Sequence, residues 1–90
     1  MSVTINIDSR LSHLTDGQTA FKVEGNTVGQ CLDGLVKWFP GIKPRLFDKK
    51  GKLNKHIDIY VNKESSYPEE LVKAVRDGDE LHIMFLVTGG

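Results

Sequence analysis

Apolar and polar residues alternate from Val3 to Ile7, with Val3, Ile5 and Ile7 on one face and Thr4 and Asn6 on the other, the period of a half-buried strand. Ser9, Ser12, Asp16 and Gly17 break the pattern between Asp8 and Gln18. It resumes with Phe21 and Val23 inward and Lys22 outward, so the first two strands are expected to form a hairpin with a long loop. Glu24-Gly25-Asn26 reads as a turn. Thr27 and Gln30 then make a capping-box pair, in which the hydroxyl accepts an early helix N–H and the amide reaches back. The helix that follows carries Val28, Leu32, Leu35, Val36 and Phe39 on one stripe and is stopped by Pro40-Gly41. Gly29 and Gly34 weaken it by up to about 1 kcal/mol each relative to alanine, so it depends on packing against the sheet.

The stretch Ile42–Asn54 reads as irregular, anchored by Leu46, Phe47 and Leu53 and turning at Asp48-Lys49-Lys50-Gly51, with room for an extra short strand. His56–Asn62 alternates again, Ile57, Ile59 and Val61 inward and Asp58 and Tyr60 outward, which predicts a third strand. Pro68 opens a short helix or 3₁₀ segment over Glu69–Val75, held by Leu71 and Val75. Asp77-Gly78-Asp79 is a turn, and Glu80–Val87 is a final strand. A helix crossing one face of the sheet satisfies both its own stripe and the inward strand residues. The expected class is α+β: a β-grasp, with a mixed four- to five-stranded sheet, the first and last strands parallel at its centre, and one long helix packed on one face.

Composition narrows what such a body can do. Ninety residues with 12 Lys+Arg and 12 Asp+Glu form one small domain, expected to span 1–90. A chain of this size buries roughly 60–65% of its unfolded surface, enough for one modest core but not for a deep two-lobed cleft. Zero net charge argues against nucleic acid or a membrane surface as partner. The balance is uneven locally, with six bases and one acid between Lys43 and His56 and six acids and two bases from Glu64 to Glu80. These read as solvated loops or as docking surfaces of opposite sign. A single cysteine excludes an internal disulfide, no run is long enough to span a bilayer, and the start lacks a signal-peptide pattern, so a cytoplasmic setting is expected.

Catalytic signatures are missing: no phosphate-binding glycine loop occurs, and His13, His56 and His82 fall in separate elements without metal-ligand spacing. Cys31 lies at the edge of the helical stripe and reads as a buried thiol. Asp77 and Asp79 flank a turn glycine, which accounts for them without chemistry. The residues left over are at the end, Leu86-Val87-Thr88-Gly89-Gly90. Glycines at 89 and 90 let a flexible tail, 87–90, enter a channel too narrow for side chains, and present an unhindered α-carboxylate at Gly90. From Leu86 such a thread reaches roughly 14 Å. If Leu81, Ile83 and Phe85 face the helix, then His82, Met84 and Leu86 line the open sheet face beside Tyr60, a candidate docking patch.

The strand order, the Asp77-Gly78-Asp79-Glu80-Leu81 turn and the terminal Val87-Thr88-Gly89-Gly90 resemble the ubiquitin-like sulfur carriers of the MoaD/ThiS family. The segment Gly51–Asn62, a Gly-x-Leu turn before an Ile-x-Val strand ending in Asn, is most similar to the CysO-type and archaeal MoaD-like branch. The approach to the tail, Met84–Val87, has no proline, where many MoaD-like members carry one. The resemblance implies a covalent carrier and not an enzyme. A MoeB/ThiF-like adenylating partner would thread Val87, Thr88 and Gly89 and, with MgATP, activate the Gly90 carboxylate for conversion to a thiocarboxylate. ATP and magnesium belong to that partner, and no cofactor is expected on this chain. A sulfur-accepting biosynthetic enzyme and a JAMM-type metalloprotease are the other partner classes implied. Two alternatives stay open: a protein modifier joined to lysines through Gly90, and a non-covalent β-grasp interaction module.

Overall fold

Residues 2–86 are described by a computed structural model of the chain. The alternating segments become β1 (Ser2–Ile7), β2 (Ala20–Glu24), β3 (Ile57–Val61) and β5 (Glu80–Phe85), and a short β4 (Glu64–Ser65) follows β3. They form one five-stranded sheet in the order β2-β1-β5-β3-β4. β1 and β5 run parallel at its centre, and the other neighbours are antiparallel. This is the β-grasp arrangement expected from the strand order.

The helix α1 (Val28–Trp38) starts where the capping pair sits. The Thr27 hydroxyl accepts the Gln30 N–H at 3.2 Å, and Gln30 Oε1 accepts the Asn26 N–H at 2.8 Å, one residue further back than in the usual reciprocal box. Val28, Cys31, Leu32 and Leu35 of α1 are buried against Val3, Ile5, Val23, Ile59, Leu81 and Ile83 of the sheet. Val36 and Phe39 are half-buried at the margin of the same core. Leu46, Leu53 and Val75 join it from the connections, with Phe47 and Leu71 packed on its rim.

Three local expectations are corrected. The helical content is not one long helix: α1 has 11 residues, a four-residue α2 (Lys43–Leu46) follows, and 3₁₀ turns occupy Ser9–Leu14, Pro40–Ile42 and Glu70–Val72. The extra strand lies at 64–65 and not within 42–54, where the Phe47–Leu53 pair makes only an isolated bridge. β4 is reached through Asn62-Lys63, both at positive φ, a two-residue hairpin turn without the glycine that usually marks one. The final strand ends at Phe85 and not at Val87, which lies outside the described residues.

Candidate functional site: the root of the C-terminal segment and the open sheet face

β5 carries the C-terminal residues, and its end is gripped from both sides. The Leu86 N–H donates to His56 O at 2.7 Å, continuing the β3 side of the ladder. On the β1 side the rungs run Thr4 N–H to Asp79 O and Asp8 N–H to Ile83 O, each at 3.1 Å. The next rung of that parallel ladder needs the N–H of residue 10 at Phe85 O. The chain has already turned into its 3₁₀ segment, and the Arg10 N–H is capped by Asp8 Oδ1 at 2.9 Å. The Arg10 side chain supplies the missing rung: Nη2 donates to Phe85 O at 3.2 Å while the guanidinium lies 5.2 Å from the centroid of the Phe85 ring. Asp8 fixes this guanidinium with two bonds, Nε to Oδ1 at 3.1 Å and Nη2 to Oδ2 at 2.7 Å. The Arg10 side-chain bond, and then its backbone N–H, hold the Asp8 carboxyl down at about 2. The Phe85–Leu86 peptide group is thus bonded through its carbonyl on one edge and its N–H on the other.

The expected docking residues meet on the open face. Asn6, His82, Tyr60 and Ser65 occupy one row across four strands, and Asp58 and Met84 the next. Met84 and Leu86 are each 43% exposed, whereas Tyr60 and His82 are half-buried. His82 Nε2 lies 3.5 Å from Glu80 Oε2 on the same face. The Asp58 carboxylate accepts the Ser65 hydroxyl at 3.0 and 2.9 Å, which turns it toward β4 and away from the apolar pair. A hollow of about 370 Å³ lined by Leu53, Ile57, Tyr67 and Leu86 opens beside this patch. Tyr67, 74% exposed, extends the apolar surface and was not among the expected residues. Val87, Thr88, Gly89 and Gly90 lie outside the described residues.

The remaining chemistry-bearing groups are explained by structure. Asp77 Oδ1 accepts the Ser2 N–H at 2.7 Å, and Asp79 accepts the Arg76 N–H and the Asn62 amide, each at 2.8 Å. Those bonds lower the Asp79 carboxyl and tie the turn at Gly78 to the start of β1 and the end of β3. Cys31 is fully buried, and desolvation pushes its thiol up, the opposite of what a nucleophile needs. Among the described residues no group of three or more His, Cys, Asp or Glu could hold a metal ion, and no helix is long and apolar enough to cross a membrane.

A family model described as the ThiS family matches residues 9–90, nearly the whole chain. The chain belongs to the ThiS family. It is 37% identical over 93 residues to the sulfur carrier protein CysO of Mycobacterium tuberculosis, covering 100% of both chains. It is 39% identical over 69 residues to small archaeal modifier protein 1 of Haloferax volcanii, covering 76% of each. Among solved structures, the Amycolatopsis orientalis BexX/CysO complex contains a chain that superposes with a TM-score of 0.88 at 36% identity, covering 98% of this chain and 99% of that one. The strand that bears the tail and the open face beside it therefore belong to a ThiS-family β-grasp body, and the family match runs through Gly89 and Gly90.

Proposed function

We propose that this ThiS-family chain is a sulfur carrier whose reactive group is the α-carboxylate of Gly90. The observation that carries the reading is the full-length similarity to a sulfur carrier protein, with a family match that includes the terminal glycine pair. A carboxylate resists nucleophiles because it is an anion with no leaving group. A MoeB/ThiF-like partner holding MgATP would join the Gly90 carboxylate to AMP and release pyrophosphate. Hydrosulfide then displaces AMP to leave the thiocarboxylate; a persulfide donor gives an acyl disulfide that a thiol reduces to the same product. This chain's part is to present the tail. The apolar surface of Met84, Leu86 and Tyr60 with His82 docks the body, while Val87, Thr88 and Gly89 thread. A sulfur-accepting biosynthetic enzyme would then take the sulfur, and the BexX/CysO complex shows a relative seated on another protein.

Intact-mass analysis after incubation with an adenylating enzyme, MgATP and a sulfur donor tests the reading. The expected product carries sulfur in place of one oxygen, and a variant lacking Gly90 stays unmodified. No increment in the intact chain would refute it. A second reading, conjugation to lysines through Gly90, is favoured by the similarity to small archaeal modifier protein 1. It predicts Gly-Gly remnants on lysines of other proteins, from which a JAMM-type metalloprotease would release the chain.

A further inference from the structure

The edge of the sheet formed by β2, separated from β5 by β1, has the features of a second binding site. Among the described residues β2 pairs only with β1. Ile7 N–H bonds Thr19 O at 2.9 Å, which makes Ile5–Phe21 and Val3–Val23 the bonded pairs of this antiparallel ladder. By the same alternation the backbone N–H and C=O of Ala20 and Lys22 point away from β1 toward the sheet edge. Beside them, between β2 and α1, runs a groove of about 210 Å³ floored by Phe21, Val23 and Leu35. Its outer wall is Trp38, 75% exposed at the end of α1 although it is the largest apolar side chain of the protein. A second hollow continues the groove past Lys22 and Trp38 to Lys37, with Glu24 as the one acidic side chain in its lining beside the two lysines.

We propose that this groove binds an extended segment of a partner protein that adds as a sixth strand along β2. Its apolar side chains would sit against Phe21, Val23 and Trp38, and its acidic residues would meet Lys22 and Lys37. Strand addition draws affinity from backbone bonds and specificity from pockets for alternate side chains, and the edge and groove supply both. Charge selects the occupant. Two copies joined antiparallel through β2 set Lys22 opposite either Lys22, where like charges repel, or Glu24, so a second copy meets attraction in one register only. An acidic segment meets attraction at the same positions.

The test uses the full chain and a labelled synthetic peptide with an alternating Val/Ile core flanked by Asp and Glu, beside a version with Lys flanks. The expected result is shifts at the Ala20–Glu24 amides and the Trp38 indole, with slowed exchange of the Lys22 amide. Lys22→Glu/Lys37→Glu and Trp38→Ala, all at exposed positions, should each weaken binding by about tenfold or more with circular dichroism unchanged. The Lys-flanked peptide should bind correspondingly worse. Absence of binding, equal binding of the two peptides, or shifts confined to the Met84 face would overturn the proposal, as would sedimentation showing dimers joined through β2.

Discussion

Replacing Arg10 by alanine removes one of the two grips on the Phe85–Leu86 peptide group and leaves the other, the 2.7 Å bond from Leu86 N–H to His56 O. Arg10 is exposed and makes no contribution to the buried core, so its removal should lower global stability at neutral pH only by the modest amount that its pairing with Asp8 supplies. The local effect is larger. Opening of the Leu86 amide now breaks a single hydrogen bond in place of a bonded pair with a stacked ring, and its exchange should speed up by roughly three- to tenfold while Ile83 is unaffected. Asp8 gives an independent readout. Its carboxyl, held at about 2, should rise toward the ordinary 3.8 without reaching it, because the Arg10 backbone N–H bond survives the substitution. A carboxyl lowered by folding stabilises the fold above its unfolded value and loses that contribution as pH falls through its folded one. The difference between the two proteins is therefore complete at neutral pH and shrinks from about pH 4 toward pH 2. Side-chain carboxyl titration and amide exchange by NMR measure both quantities. If Asp8 still titrates near 2 and Leu86 exchanges at the native rate, the side-chain rung has no role at the root of the tail.

Three further outcomes are expected. Met84→Glu, at a 43% exposed position, should leave stability within about 0.5 kcal/mol but weaken calorimetric binding to the adenylating partner by about tenfold or more; unchanged affinity would remove Met84 from the docking surface. The two helical glycines should behave oppositely. An added Cβ at Gly34 meets Val23 at an ordinary 3.6 Å, so Gly34→Ala should stabilise by up to about 1 kcal/mol, raising Tm by roughly 4–8 °C. At Gly29 the same atom lies 3.0 Å from the Leu71 carbonyl oxygen, so Gly29→Ala should gain nothing or lose stability by thermal melt. Cys31, fully buried and with its thiol raised by desolvation, should react with an aromatic disulfide reagent about a thousandfold more slowly in the native than in the denatured protein; labelling at the free-thiol rate would contradict its burial.

What could be read from the chain alone follows from the range of the interactions involved. β1, β3 and β5 are legible because each has one face on the core, which imposes a period of two. The helix start is legible because its cap is local, and the glycine pair because it is an unusual composition at one place. β4 is invisible because Asn62-Lys63 makes its turn through positive φ without glycine, and because both its residues are exposed. The 3₁₀ turn over Ser9–Leu14 buries only Leu11 and so leaves almost no apolar pattern. Arg10 is the clearest case: its partner is 75 residues away, and only the parallel pairing of β1 with β5 makes residue 10 the next rung beside Phe85. Trp38 has helical spacing with the buried stripe, yet it stays exposed at the rim of the β2 groove, while the next residue, Phe39, is the one that packs on Phe21.

The sheet order separates two uses of the molecule. The tail leaves the central strand β5, whose neighbours β1 and β3 bond it on both edges, so drawing the tail into a partner need not peel a strand from the sheet. A strand added beyond β2 lies three strand spacings from β5, about 14 Å, and the groove it fills is on the helix side of the sheet, whereas Met84 and Leu86 face the other side. The two surfaces share no residue. A peptide held on β2 should therefore leave tail activation intact, and saturating amounts of the acidic strand peptide should change the rate of pyrophosphate release by less than about twofold. Ternary complexes of carrier, peptide and adenylating partner should sediment together. Competition between the peptide and the partner would mean that the activating enzyme itself covers the β2 edge, and would merge the two surfaces into one.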